Sequence, residues 1–279
     1  MPPRATFALI GPGKSGTTAM YNLLTRHPQV CMASVKETCF FNDHWQRGVE
    51  WYHSLFPAPG SAAATGEVSN TYIFSPDAAQ RMHQYNPAMR AVTCLRNPVD
   101  RAFSHWLFLK RNAEISGTFE EGMAQRPDLV ERGLYARHLE PWLRHLGRQQ
   151  VLILFFDQFT ADPLTTYNQL LRFIGVEPVS TVQLDESDRL PASAPRSRAA
   201  ARAVKMVADA VRRAGHPRVI QWVKDSPLPR MLYRPYGRSE RPQMDPATRR
   251  TLCERYVEDA AALSALTGRN LVADWGLRA

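Results

Sequence analysis

Hydrophobic positions along the chain fall into two periods, and their alternation lays out the elements in order. Residues 7–10 form a short unbroken apolar run, as a strand buried on both faces requires. A turn of Gly11, Pro12 and Gly13 follows, then apolar residues at helical spacing (Met20, Leu23, Leu24) up to His27 and Pro28. Residues 30–33, 65–68, 90–95 and 150–155 read as further strands. Helical spacing covers 76–85, with Pro76 in its first turn, the segment after Pro98, and 133–147, closed by Gly147. It returns from Pro163 to Ile174, over 198–215, and from about 246 to 266, where Asp245 is placed to cap the start and Gly268 to end it. Pro141 inside the 133–147 pattern predicts a kink or a restart. Residues 58–64 and 178–195 read as loops, and 216–244 is rich in Pro and Arg. Strands alternating with helices predict an α/β fold in three layers, with a mainly parallel central sheet flanked by helices, in a single domain over 1–279.

The helix over 198–215 gathers Arg198, Arg202, Lys205, Asp209 and Arg212 on one side. That side is expected to be the solvated outer face of a covering helix. Peripheral contact with a membrane and a lid role are the alternatives.

Composition narrows the partners. Of 279 residues, 44% are hydrophobic and 22% charged, proportions of a soluble globular protein. The 35 Lys and Arg exceed the 26 Asp and Glu, and the formal charge of +9 suits an anionic ligand or surface. The arginines are dispersed, with no zinc-finger or RNP-type spacing, so nucleic acid is not the expected partner. Cys31, Cys39, Cys94 and Cys253 form no C-x-x-C pair and are expected to be buried free thiols in a reducing compartment. The eight histidines include no H-E-x-x-H, so no metal is expected. The chain enters its first strand with neither a secretory h-region nor a transmembrane stretch, and a cytoplasmic location is expected. Oligomeric state leaves no mark in the sequence.

Three stretches carry candidate chemistry. The first is the loop between strand one and helix one, Gly11 to Thr18. Strand, glycine loop and helix N-terminus together present main-chain N–H groups to a phosphate-like anion. Lys14 adds a point charge, and Ser15, Thr17 and Thr18 add hydroxyls beside Gly16. The nucleoside-triphosphatase pattern G-x-x-x-x-G-K-[ST] would need glycine where Ala8 stands. The second stretch is Lys36-Glu37 at the edge of an aromatic run. Most such neighbours are exposed ion pairs, but a partly desolvated Glu37 could act as a base. The third begins at Arg96 after the 90–95 strand and runs through Asn97-Pro98 to Ser104, a second anion site by its construction. His105 is expected to be a packed helix residue.

Lys14-Ser15-Gly16-Thr17-Thr18 after a strand resembles the 5′-phosphosulfate loop of sulfotransferases that use 3′-phosphoadenosine 5′-phosphosulfate (PAPS). Lys36-Glu37, Phe40-Phe41-Asn42, Gly48 to Tyr52 and Phe56-Pro57 are similar to the heparan sulfate N- and 3-O-sulfotransferase branch. Arg96 to Ser104 resembles the family's 3′-phosphate motif, and Tyr236-Gly237-Arg238-Ser239 its late Lys-Gly-Arg loop, with Tyr236 in the lysine's place. Val68 also stands where the family usually has lysine, and Phe156-Asp157 keeps half of a Glu-Asp pair.

The resemblance implies a P-loop-like fold, with PAPS as donor and adenosine 3′,5′-bisphosphate as product, and no metal. It implies that Lys14 and the loop to Thr18 hold the phosphosulfate and that Arg96 and Ser104, with 236–239, recognise the 3′-phosphate side. Glu37 would deprotonate a hydroxyl or amine of an acceptor (carbohydrate, glycolipid or another small metabolite). Residues 178–244 would form a variable cover over that site. A P-loop kinase and a non-catalytic adenine-nucleotide-binding module remain the alternatives.

Overall fold

The computed structural model describes residues 4–185, 193–226, 228–237 and 240–277. In chain order the elements are β1 (Phe7–Gly11), α1 (Thr17–Arg26), β2 (Val30–Met32), α2 (Gly48–His53), β3 (Ala64–Val68), α3 (Pro76–Tyr85), β4 (Arg90–Leu95) and α4 (Pro98–Arg111). Then come α5 (Phe119–Gln125), α6 (Asp128–Glu131), α7 (Tyr135–Leu146), β5 (Val151–Phe155), α8 (Phe156–Ala161) and α9 (Pro163–Ile174). The chain finishes with β6 (Ser193–Pro195), α10 (Arg198–Arg213), α11 (Pro217–Asp225), α12 (Leu228–Leu232), β7 (Tyr233–Pro235), α13 (Pro246–Thr267) and α14 (Leu271–Asp274). The sequence reading places the strands of the main sheet and the long helices correctly. It misses α2, α5, α6, α8, α11, α12 and α14, which are 4–9 residues long and too short to show a clear helical period.

The chain divides into two compact units, Met1–Arg96 with His138–Leu190, and Asn97–Arg137 with Pro191–Ala279. The first holds a five-stranded sheet in the order β2-β3-β1-β4-β5, and every pairing is parallel. It is an α/β fold with helices on both faces. Phe7 and Leu9 of β1 point into an apolar core with Met20, Leu23 and Leu24 of α1, Phe159 of α8 and Tyr167, Leu170 and Leu171 of α9. On the opposite face Phe40 and Phe41 meet Tyr52 of α2 and Tyr85 of α3; Phe40 and Tyr52 stack with ring centroids 4.3 Å apart. Each aromatic ring removes a large apolar area from water, so this face is as firmly anchored as the aliphatic one.

Strand order decides where a ligand can sit. From β1 the chain crosses to β2 on one side, and from β3 it crosses to β4 on the other. The order therefore reverses between β1 and β4, and a crevice beyond the carboxyl ends of two parallel strands opens at such a point. The loop after β1 and Arg96 after β4 both lie there.

In the second unit, α4 buries Val99, Ala102, Trp106, Leu107 and Leu109, and α13 buries Leu252, Tyr256, Ala260 and Leu263. Gly133 lies so close to Tyr256 that a Cβ there would stand 2.7 Å from the ring. Asp245 caps α13 by accepting from the Thr248 N–H, and Gly268 closes it in the left-handed conformation, as the sequence predicts. Residues 193–195, read as loop, pair with 233–235 as an antiparallel ribbon. On α10 Arg198 and Arg202 of the expected outer face are exposed, and Lys205 and Asp209 are half-buried. Lys205 pairs with Glu114 and Asp209, at 3.6 and 2.5 Å, and Met206 and Val207 are exposed as well, at 65% and 64%. Among the described residues no helix is long and apolar enough to cross a membrane.

Candidate active site

The loop after β1 is shaped by main-chain geometry that few side chains tolerate. Gly11 has φ +102°, and a Cβ there would stand 2.2 Å from the carbonyl oxygen of Asn70. Gly11→Ala is therefore expected to destabilise the fold by at least about 2 kcal/mol, from overpacking and a strained φ together. Denaturant unfolding of the variant measures this. Gly16 (φ +83°) is the N-cap of α1 and supplies no side chain to cap it. Lys14 between them also holds a positive φ of 75°, a conformation that costs a residue with a Cβ about 1 kcal/mol or more. Its carbonyl accepts a hydrogen bond from Arg96 at 3.2 Å.

Arg96 closes β4 and lies over the ring of Phe156, 4.9 Å from its centroid. The same ring bounds Gly16, where a Cβ would meet it at 3.2 Å. Phe156 thus wedges both the head of α1 and the guanidinium into place. Sequence reasoning treated Phe156 only as the missing acid of a pair. Its position just after a buried strand, at the carboxyl edge of the sheet, was the available signal.

Glu37 sits in the connection after β2, at φ 68°, with its N–H bonded to the Val68 carbonyl at 2.8 Å. Its carboxylate accepts from Lys36 Nζ at 2.9 Å and Asn70 Nδ2 at 2.5 Å on Oε1, and from the Asn70 main-chain N–H at 2.9 Å on Oε2. The Lys36–Glu37 pair is not the exposed one that such neighbours usually make. The side chains are only 13% and 19% exposed, so the charges interact in a partly desolvated setting. Asn70 is the residue the sequence reading did not see. Its carbonyl abuts Gly11, its side chain lies 3.6 Å from where a Cβ of Gly13 would be, and both its N–H groups hold Glu37. One asparagine thereby ties the glycine loop to the carboxylate. Val68 points into the apolar core, so that position carries no charge.

Ser15 and Thr17 are buried in the loop and first turn of α1, and Thr18 is half-buried. Ser104 lies in the second unit on α4, half-buried. Tyr236 is half-buried, and Gly237 is exposed, its N–H 3.3 Å from the Glu240 carboxylate. Arg238 and Ser239 lie outside the described residues. His105 is half-buried on α4 with its ring 6.5 Å from that of Phe108. All four cysteines are free and buried; burial, and then the charge of Glu37, push the Cys39 thiol well up.

The chemistry of the loop fits an anionic sulfate donor. Ser15 is fully buried, yet its Oγ has no hydrogen-bond partner among the described residues. An orphaned buried hydroxyl costs about 1–3 kcal/mol. Beside it are an uncapped helix N-terminus and the Lys14 cation. All three suit a sulfate- or phosphate-bearing group.

The family model described as the sulfotransferase domain matches residues 5–208, and the chain belongs to that family. Among its relatives, the bifunctional heparan sulfate N-deacetylase/N-sulfotransferase 4 of Mus musculus is 34% identical over 195 residues, 62% of this chain and 22% of that protein. Human heparan sulfate glucosamine 3-O-sulfotransferase 6 is 30% identical over 181 residues, 62% of this chain and 53% of that one. The chain therefore spans about a fifth of the first relative and about half of the second. A sulfotransferase from Alicyclobacillus acidocaldarius, solved by crystallography, has the same fold. Its TM-score is 0.69 at 24% identity, over 98% of this chain and 99% of that one.

Proposed function

We propose that the chain is a PAPS-dependent sulfotransferase that sulfates a hydroxyl or amine of a carbohydrate-type acceptor, and that it works as one sulfotransferase domain. The observation that carries this reading is the meeting of two parts beyond the carboxyl ends of the parallel strands. One is a glycine loop with a lysine and an orphaned Ser15 hydroxyl. The other is a carboxylate, Glu37, which Asn70 ties to that loop.

PAPS, when bound, supplies the sulfuryl group and a phosphate leaving group. Lys14 and the N–H groups at the head of α1, with Ser15, Thr17 and Thr18, hold the phosphosulfate. They face the negative charge that grows on the leaving oxygen. Glu37 takes the acceptor's proton at a carboxylate oxygen, and the donors from Lys36 and Asn70 fix the direction of that carboxylate. Arg96, braced by Phe156 and the Lys14 carbonyl, recognises the 3′-phosphate. The parts assigned to Ser104, Tyr236, Gly237, Arg238 and Ser239 rest on the family resemblance alone. As in phosphoryl transfer, most of the acceleration is positioning and charge stabilisation. The names of the heparan sulfate relatives support a carbohydrate acceptor.

Calorimetric titration tests the donor: adenosine 3′,5′-bisphosphate should bind far more tightly than AMP or ADP, and equal binding would end the proposal. Turnover of labelled PAPS over a panel of glycans and amino sugars, read by mass spectrometry, tests the acceptor. Arg96→Ala is expected to weaken bisphosphate binding about 10- to 100-fold, the worth of one or two charge-assisted hydrogen bonds, and to leave AMP binding nearly unchanged.

A further inference from the structure

Glu67, on β3, is fully buried, and the chemistry above does not use it. In register it faces the same side of the sheet as Ala8 of β1, toward the aromatic layer. Four hydroxyls surround its carboxylate. Thr38 and Ser69 donate to Oε2 at 2.5 and 2.7 Å, and Tyr72 and Tyr52 to Oε1 at 2.7 and 3.1 Å. Burial raises its pKa, and the four hydroxyl bonds pull against that rise.

Three of the four hydroxyls hand the interaction on to the main chain. Ser69 Oγ accepts the Cys39 N–H at 3.0 Å, Tyr72 Oη the Phe41 N–H at 3.2 Å, and Thr38 Oγ1 the Phe40 N–H at 3.4 Å. A hydroxyl has one proton to give and lone pairs to receive with. With its proton on the carboxylate, each hydroxyl has its lone pairs turned toward an amide. An ionised carboxylate only accepts, so it sets the polarity of all these chains at once. What they hold is the stretch directly after Glu37, where Glu37 and Cys39 stand at φ 68° and 51°. Two residues in left-handed geometry would relax toward ordinary conformations unless neighbouring bonds fixed them.

We propose that Glu67 is a positioning residue: through the hydroxyls of Ser69, Tyr72 and Thr38 it holds the backbone of residues 38–41 and so fixes the direction of the Glu37 carboxylate. The proposal rests on Glu37 being the base. A shift of about 1 Å in a reacting group can cost about a hundredfold in rate. Glutamine at position 67 sets an N–H₂ against two of the four hydroxyls, whose protons must then turn away from residue 67, and this disturbs the chains that hold the main chain.

The test compares Glu67→Gln, Ser69→Ala and Tyr72→Phe in the full chain, each with Glu37 present and with Glu37→Gln. kcat, KM, adenosine 3′,5′-bisphosphate affinity and thermal unfolding are measured. With Glu37 present, Glu67→Gln and Ser69→Ala should lower kcat about tenfold or more while bisphosphate affinity stays within about twofold. With Glu37→Gln, the same changes should lower kcat no further, because they act through the lost group. Normal kcat in Glu67→Gln and Ser69→Ala beside a disabled Glu37→Gln would overturn the proposal alone. So would an equal fall in both backgrounds, or a loss confined to bisphosphate binding. An active Glu37→Gln enzyme would instead remove the base assignment and this proposal with it. Should Glu67→Gln not fold, Ser69→Ala and Tyr72→Phe decide the matter, since each leaves the carboxylate three hydroxyl donors.

Discussion

Glu37→Gln should lower kcat by about two orders of magnitude or more, the usual worth of a positioned general base. Glutamine has the same shape and cannot take a proton. The surroundings can absorb it, because Asn70 presents an N–H and an amide whose oxygen and nitrogen can exchange places by rotation. Lys36 loses its ion partner, but that pair lies beside the carboxylate and not in the loop. Affinity for adenosine 3′,5′-bisphosphate should therefore change by no more than a few-fold, and a collapse of that affinity would count against the role. Glu37→Asp sharpens the test. It keeps the charge but withdraws it by one methylene, and a base out of reach by that much should also lose about a hundredfold. Steady-state kinetics of the two variants, beside calorimetry of the bisphosphate, separates loss of the base from loss of the site.

Lys14→Ala is the second large effect, with kcat expected to fall about 10²- to 10³-fold, as when one donor to a developing anion is removed. The alanine keeps the main-chain carbonyl, so the hydrogen bond from Arg96 survives and the loop should hold its course. The positive φ at Lys14 provides a control that few sites allow. Lys14→Gly removes the same charge and also relieves the left-handed strain, so it should be more stable than Lys14→Ala by about 0.5–1 kcal/mol. Both should be equally inactive. If activity instead followed stability across the two variants, loop geometry and not the ammonium would be responsible.

The parts of the site visible in the sequence are those carried by local composition. Gly11, Gly13 and Gly16 around Lys14 after an apolar run mark a loop whose main chain must bend where a Cβ would be strained. That requirement is local, and the loop is where it was expected. Arg96 after the next core strand belongs to the same kind of signal. Asn70 carries no such mark, since an asparagine after a strand reads as an ordinary turn residue. It joins Gly11 to Glu37 only because β3 pairs beside β1 in register, which brings Val68 opposite Leu9. Phe156 is hidden for the same reason: it meets Gly16 and Arg96 across residues far apart in the chain. On α10 the charged side carries the exposed Arg198 and Arg202, but apolar Met206 and Val207 are exposed too, which the charge pattern alone does not show. A helix's own period gives two faces and not their direction, which its packing neighbours decide.

The sequence by itself determined the alternation of strands and helices, the glycine loop with its lysine, the caps of the long helices and the family to which they belong. Those are properties of neighbouring residues, fixed by backbone sterics and hydrophobic period. The tertiary structure alone decided the strand order that brings the β1 loop and Arg96 to one reversal point, the grip of Asn70 on Glu37, and the enclosure of Glu67 by four hydroxyls. Each of these depends on residues brought together by parallel pairing, and the pairing is set by how the whole sheet buries its two faces.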